Sequence, residues 1–124
     1  MKHYLTNGAN AYMYWNTSLK DGGISTWGWH QNSLVSVDTV RHTYKYNYEY
    51  YLMKHLSHFV KPGAKRLTTT GGNNNLLAFI NTDKSIVVVI QNESAAAKTV
   101  KIQIGNKQFS PTLEADSYNT FLLQ

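Results

Sequence analysis

The sequence predicts a mainly β protein, with one βα unit at its start and an antiparallel β-sandwich behind it. Three observations carry that prediction. Tyr48, Tyr51, Leu52, His55, Leu56 and Phe59 recur at helical spacing. After Pro62-Gly63 the period falls to two. The segments of short period are separated by Gly71-Gly72-Asn73, Thr82-Asp83-Lys84, Gly105-Asn106 and Ser110-Pro111, which turn the chain rather than extend it. A lone strand, loop and helix cannot bury their own faces, whereas several short strands can close into a sandwich. The division is expected at Pro62, with residues 1–62 as the βα unit and residues 63–124 as the sandwich.

Along the chain, residues 10–16 read as a strand buried on both faces, because aromatic and small residues run together without alternation. Residues 17–45 are polar, Gly-rich and aromatic, and read as loop with one short strand through Leu34-Val35-Ser36-Val37. A loop of that length in a compact domain usually carries function. Asn47 is placed to cap the helix, Glu49 falls in its first turn where a carboxylate favours the dipole, and Pro62-Gly63 ends it. Strands are then expected at Arg66–Thr70, Leu76–Asn81, Ser85–Gln91, Thr99–Ile104 and Tyr118–Leu123, with a shorter one at Lys107–Phe109. Val100, Ile102 and Ile104 alternate with Lys101 and Gln103, so that strand has one wet face. Ile86-Val87-Val88-Val89-Ile90 is apolar throughout and belongs at the centre of a sheet covered on both sides.

Composition narrows the function classes. With 42% apolar and 15% charged residues the chain is globular rather than disordered. The absence of cysteine excludes a disulfide framework and a thiolate metal site, and leaves the compartment open. No apolar segment follows Lys2, so no signal peptide is expected, and Ile86–Ile90 is far too short to span a bilayer. All of the +5 net charge falls in residues 1–66, but the lysines are dispersed and no nucleic-acid motif accompanies them. No nucleic-acid partner and no membrane insertion are expected; the basic half reads as a solvated surface or a face for an acidic partner.

The stretch with most chemistry is Gly8-Ala9-Asn10-Ala11-Tyr12-Met13-Tyr14-Trp15-Asn16, followed by Gly22-Gly23-Ile24-Ser25-Thr26-Trp27-Gly28-Trp29. Flat indole faces stack on pyranose rings, and an Asn amide both donates to and accepts from hydroxyls. A strand feeding a sugar-binding loop would have this composition. The plainer reading of Trp27 and Trp29 is that they pin a long loop to the body of the protein.

The same stretch, with Asn32-Ser33, Val37-Asp38, Tyr44 to Tyr51, Lys54-His55-Leu56-Ser57-His58-Phe59, Lys61-Pro62-Gly63-Ala64-Lys65-Arg66, Leu77-Ala78-Phe79, Val87 to Asn92 and Ala115 to Phe121 in collinear order, resembles the C-terminal part of glycoside hydrolase family 30 enzymes, the glucosylceramidase and β-1,6-glucanase group. The resemblance implies the last strand, loop and helix of a (β/α)₈ barrel followed by a β-sandwich side domain. Residues 1–7 would end the seventh helix, residues 9–16 would form the eighth barrel strand, residues 17–45 its catalytic-face loop, residues 47–60 the eighth helix, and residues 64–124 most of the sandwich. It implies a β-linked glucoside or glucan as substrate, with Trp15, Asn16, Trp27, Trp29 and Asn32 as sugar-binding residues. Gly23 to Trp29 looks more like the bacterial β-1,6-glucanase side of the family. The parent enzyme would be exported if it follows its family.

Retaining hydrolysis needs two carboxyl groups roughly 5–5.5 Å apart. The resemblance puts both, as glutamates at the ends of the fourth and seventh barrel strands, upstream of Met1. The seven carboxylates of this chain sit in loops, turns and strand ends and read as solvated or capping groups. No catalytic residue is expected, and this chain alone is expected to be inactive. His55 and His58, three apart on a helix, have no third ligand near them in sequence, so His55 reads as a structural histidine on the core stripe and no metal is expected. No cofactor fingerprint is present. The expected partners are the glycan and either the missing N-terminal barrel portion or a second copy, since the βα unit leaves apolar faces open. The alternatives are a stand-alone carbohydrate-binding module without hydrolysis and a purely structural sandwich.

Overall fold

The computed structural model describes residues 1–124 and divides them into two units, Met1–Lys54 and His55–Gln124. In the first unit a short helix α1 (Lys2–Thr6) is followed by β1 (Ser18–Lys20), β2 (Val35–Asp38) and β3 (Thr43–Tyr46), then by α2 (Tyr48–Ser57), whose last turn belongs to the second unit. The three strands form one sheet in the order β1-β2-β3. β1 pairs parallel to β2, with Ser18 opposite Val35, and β2 pairs antiparallel to β3, with Val35 opposite Tyr46 and Asp38 opposite Thr43. Asp38 makes the reversal between β2 and β3, its Oδ1 accepting the amides of Val40 and Arg41 at 2.9 Å each.

The strand expected over residues 10–16 does not form: those residues are irregular. A strand needs a neighbour to receive its backbone hydrogen bonds, and no partner strand lies beside this segment. Met13 stays 91% exposed and Trp15 85%. The expected loop, residues 17–45, instead holds β1 and β2, and β3 begins inside it. The short strand expected at residues 34–37 is β2, one residue later.

Asn47 precedes α2 as expected but does not cap it through its side chain. Its Nδ2 donates to the Ser33 carbonyl at 2.8 Å and to Ser36 Oγ at 2.9 Å, and its Oδ1 accepts from Ser36 Oγ at 3.2 Å. Its carbonyl takes the Tyr50 amide at 3.1 Å. Asn47 thus ties the helix start to β2. Tyr46 of β3 stacks on Tyr50 of α2 with ring centroids 4.1 Å apart, which fixes the same corner by aromatic packing.

The second unit carries β4 (Lys65–Leu67), β5 (Leu76–Ile80), β6 (Ile86–Asn92), β7 (Lys98–Thr99), β8 (Ile102–Ile104), β9 (Lys107–Phe109), β10 (Thr112–Leu113) and β11 (Ser117–Leu123). All their pairings are antiparallel, giving a four-stranded sheet in the order β11-β6-β5-β4 and two ribbons, β7 with β10 and β8 with β9. β6 is central, as its unbroken apolar run requires. Val87, Val88 and Ile90 are at most 1% exposed. Ala78, Val88 and Ile90 pack with Ile102 and Leu113 from the ribbons and with Val100 between β7 and β8, as two β layers facing each other. The other face of the sheet is covered too. There Thr120 of β11 meets His55, whose Nδ1 lies 2.9 Å from Thr120 Oγ1.

The single strand expected over Thr99–Ile104 is divided in two, because the chain changes partner within it. β7 pairs with β10 and β8 with β9, and the Val100 amide donates to the Pro111 carbonyl at the changeover. Its alternation holds, with Val100 and Ile102 buried and Lys101 and Gln103 exposed.

Two buried asparagines organise the ends of β5 and β6. Asn81 Nδ2 donates to the Phe59 carbonyl and to Ser85 Oγ, while its Oδ1 accepts the Lys61 amide. Asn92 Nδ2 donates to the carbonyls of Ala96 at 2.9 Å and Glu114 at 2.8 Å, so one amide pins two turns. Beside Asn81, the Lys61 ammonium and the Ser85 hydroxyl and amide hold the exposed Asp83 carboxyl well below the usual carboxylate range.

Burial lowers the pKa of His55. Its folded value lies below its unfolded value, so folding favours the neutral ring. That contribution is present above the ordinary histidine range near 6.5 and is lost as pH falls through it toward the folded value. The thermal midpoint of the second unit is therefore expected to drop between pH 7.5 and pH 5.5, and His55→Asn to shrink that drop. Calorimetry of both proteins across this range checks it; an equal drop in the variant would rule His55 out as the cause.

Candidate functional site

The aromatic loop is a small hairpin. Ile24 and His30 form an antiparallel bridge, the Ser25 amide donates to the Trp29 carbonyl at 2.9 Å, and the Gly28 amide donates to the Ser25 carbonyl at 2.9 Å. That pattern is a tight turn completed by Gly28 at φ 80°, a conformation glycine enters without a Cβ penalty. The turn places Trp27 at the tip and Trp29 on the returning arm. Their ring centroids lie 6.0 Å apart at 35°, and they stay 72% and 65% exposed. The two indoles pack on each other and offer their outer surfaces to solvent.

The base of the hairpin is held by Gly23 and Asn16. Gly23 adopts φ 61°, and a Cβ there would lie 2.4 Å from the Gln31 carbonyl oxygen, so the two limbs approach as closely as glycine allows. The Gln31 amide donates to the Gly23 carbonyl at 2.7 Å across this contact. Asn16 Nδ2 donates to Gln31 Oε1 at 3.2 Å and to the Asn32 carbonyl at 3.1 Å. The Asn16 carbonyl takes the Leu34 amide at 3.1 Å. Asn16 thus fastens the chain before β1 to the returning limb.

The structure therefore brings Asn16 together with Asn32, and Trp27 with Trp29. Trp15 joins neither pair and stacks on no other ring.

Sequence reasoning missed the cleft at the hairpin base. It has a volume of about 380 Å³, and Asp21, His30, Asn32, Lys45, Asn47 and Glu49 are among the residues lining it. Lys45 Nζ stands 3.5 Å from Asp21 Oδ1. His30 Nδ1 lies 3.2 Å from the Gly22 carbonyl. Burial, and then the negative charge of Glu49, push the Tyr14 phenol up from its ordinary value. The cleft residues come from four places in sequence, the end of β1, the hairpin, the Ser33–Ser36 stretch entering β2 and the β3–α2 corner. Only the pairing of β1 and β3 on either side of β2 gathers them. Carboxylates, amides, an imidazole and an ammonium around an open cavity can hydrogen-bond a hydroxyl-rich ligand in both directions. No group of three His, Asp or Glu side chains is placed to hold a metal ion, and no helix is long and apolar enough to cross a membrane.

Residues 63–121 match the sequence model of the Glycosyl hydrolase family 30 beta sandwich domain. Among solved structures the chain is similar to SrfJ from Salmonella typhimurium, with a TM-score of 0.83 and 24% identity over 89% of this chain and 25% of that one. It is also similar to the endo-beta1,6-glucanase BT3312, with a TM-score of 0.77 and 28% identity over 88% of this chain and 26% of that one. The chain spans about a quarter of the length of these solved relatives. No curated protein matches it.

Proposed function

Residues 63–121 being a glycosyl hydrolase family 30 β-sandwich domain, we propose that the chain is the C-terminal part of a retaining β-glycoside hydrolase of the β-glucosidase, β-1,6-glucanase or glucosylceramidase type. It would supply the sandwich and one wall of the sugar cleft, and the two catalytic glutamates would stand on a barrel portion outside this chain. In that setting residues 9–16 would gain the neighbouring barrel strand they lack and become the eighth strand. Their apolar composition, unsatisfied in the isolated unit, supports this. The likeness to an endo-beta1,6-glucanase, covering 88% of this chain, supports a β1,6-linked glucan as substrate class.

The observation that carries the reading is the exposed indole pair on a hairpin whose geometry is fixed at tip and base. A preorganised aromatic surface stacks on a sugar ring at small entropic cost. Trp15, Trp27 and Trp29 would make the stacking contacts, and Asn16 and Asn32 would hold the loop that presents them.

Titration of the chain with β1,6-linked gluco-oligosaccharides, followed by tryptophan fluorescence, tests this. Saturable quenching is expected, with affinity falling about tenfold in Trp29→Ala, the loss of roughly 1.4 kcal/mol of stacking. A flat titration in the parent chain would count against a sugar-binding role for these tryptophans.

A further inference from the structure

We infer that the cleft at the hairpin base selects uncharged glycans over acidic ones, with Glu49 and Asp21 as the discriminating residues and Lys45 as their counterweight. The inference rests on the glycan reading above and names the substrate class of the same region.

It starts from charge. The chain as a whole carries +5, a balance that would draw anionic ligands toward its surface. Inside the cleft the sign reverses. Asp21 and Glu49 bring two carboxylates and Lys45 one ammonium. Lys45 is spent on Asp21 at 3.5 Å, while Glu49 makes no ion pair. The start of α2 offsets about half of the Glu49 charge through its dipole, and a net negative potential remains. With a screening length of about 8–10 Å, the nearby carboxylate outweighs the dispersed lysines for a ligand seated in the cleft.

The consequence is chemical. Carboxylate oxygens accept from vicinal sugar hydroxyls, and the Asn32 amide and the His30 ring supply further polar contacts. A uronate in the same place would set its carboxylate against Glu49 and Asp21, with one ammonium, Lys45 beside Asp21, to offset both. Rejection by like charge is an ordinary way to build specificity. The hairpin puts Trp29 next to His30 of the cleft lining, so the indole pair and the cleft adjoin one another within the first unit.

The test uses the ¹⁵N-labelled chain at pH 8, above the ordinary histidine range. It is titrated with a neutral gluco-oligosaccharide and with one of equal length carrying a uronate. Amides of Gly22, Gly23, Gln31 and Glu49 report the cleft, and indole N–H signals report the tryptophans. The neutral ligand is expected to shift both sets and to bind about fivefold more tightly than the uronate. Glu49→Gln and Asp21→Asn are each expected to narrow the preference severalfold, raising uronate affinity and lowering neutral affinity through the loss of a charged hydroxyl acceptor. Lys45→Gln is expected to act in the opposite direction and widen the preference, and dispersed spectra of each variant verify its fold.

Equal affinity for the two ligands, or a preference indifferent to all three substitutions, overturns the inference. Shifts confined to the indoles overturn it while leaving the glycan reading intact. Absence of any shift with either ligand overturns both.

Discussion

Ile90→Ala is expected to destabilise the second unit by about 2–5 kcal/mol, the cost of removing a large aliphatic group from a site that cannot collapse around the loss. Ile90 is 1% exposed at the centre of the four-stranded sheet, in the cluster that joins Ala78 and Val88 to Val100, Ile102 and Leu113. Small domains hold only about 5–15 kcal/mol in all, so the variant should sit close to its unfolding threshold at 25 °C. Urea unfolding followed by circular dichroism measures the effect as a lowered midpoint at unchanged slope. Leu122, 48% exposed on the neighbouring strand, gives the contrast: Leu122→Ala should cost less than about 1 kcal/mol. If the two variants unfold alike, the layer packing described for this unit is wrong.

Gly23→Val is expected to remove glycan binding and to leave the second unit intact. At φ 61° a β-branched residue is strained by about 1–3 kcal/mol. The steric problem is worse, because a Cβ would stand 2.4 Å from a backbone oxygen that has no rotamer to change. The Gln31 amide would lose its place on the Gly23 carbonyl, and the limb carrying Asn32 would move away from Asn16. Oligosaccharide affinity, read by tryptophan fluorescence, should fall more than about tenfold, while the urea midpoint of the second unit stays where it was. Thr26→Ala, at an exposed position of the same hairpin, should change neither. Retained affinity in the glycine variant would mean that hairpin geometry does not govern the site.

The second unit was the more legible half because its signals are local and repeated. Period-two alternation and turn sequences marked β5, β6, β9 and β11 to within a residue or so, and the unbroken run at Ile86–Ile90 marked the central strand. β10 went unread because Thr112-Leu113 is too short to show a period. The partner change at Val100 was invisible, since alternation says which face is wet and nothing about which strand is opposite.

In the first unit the same reasoning faltered at residues 10–16. Their composition asks for cover on both faces, and in this chain no strand lies beside them, so a correct reading of preference gave an incorrect reading of state. β3 was legible in hindsight, as Tyr44 and Tyr46 alternate with Thr43 and Lys45. Ser25-Thr26-Trp27-Gly28 likewise has the form of a tight turn ending in a left-handed glycine.

The tryptophans were legible as candidate ligand contacts because exposed indoles are rare and chemically specific. Asp21, Lys45 and Glu49 were not. Each has an ordinary solvated or capping role when read singly, and only the pairing of β1 and β3 on either side of β2 places them around one cavity. Asn47 stands where a helix cap is the commonest task, whereas its side chain is committed to Ser33 and Ser36.

The most direct test of the account is the coding DNA immediately upstream of the Met1 codon, read over roughly 250 codons, the length of a (β/α)₈ barrel. An open frame encoding alternating strands and helices, with glutamates closing two of the strands, is the predicted result. It would make Trp15 and the hairpin of Trp27 and Trp29 one wall of a complete glycosidase cleft. An in-frame stop just before Met1, behind a ribosome-binding site, would contradict the hydrolase account and leave a short protein that holds glycans without cleaving them.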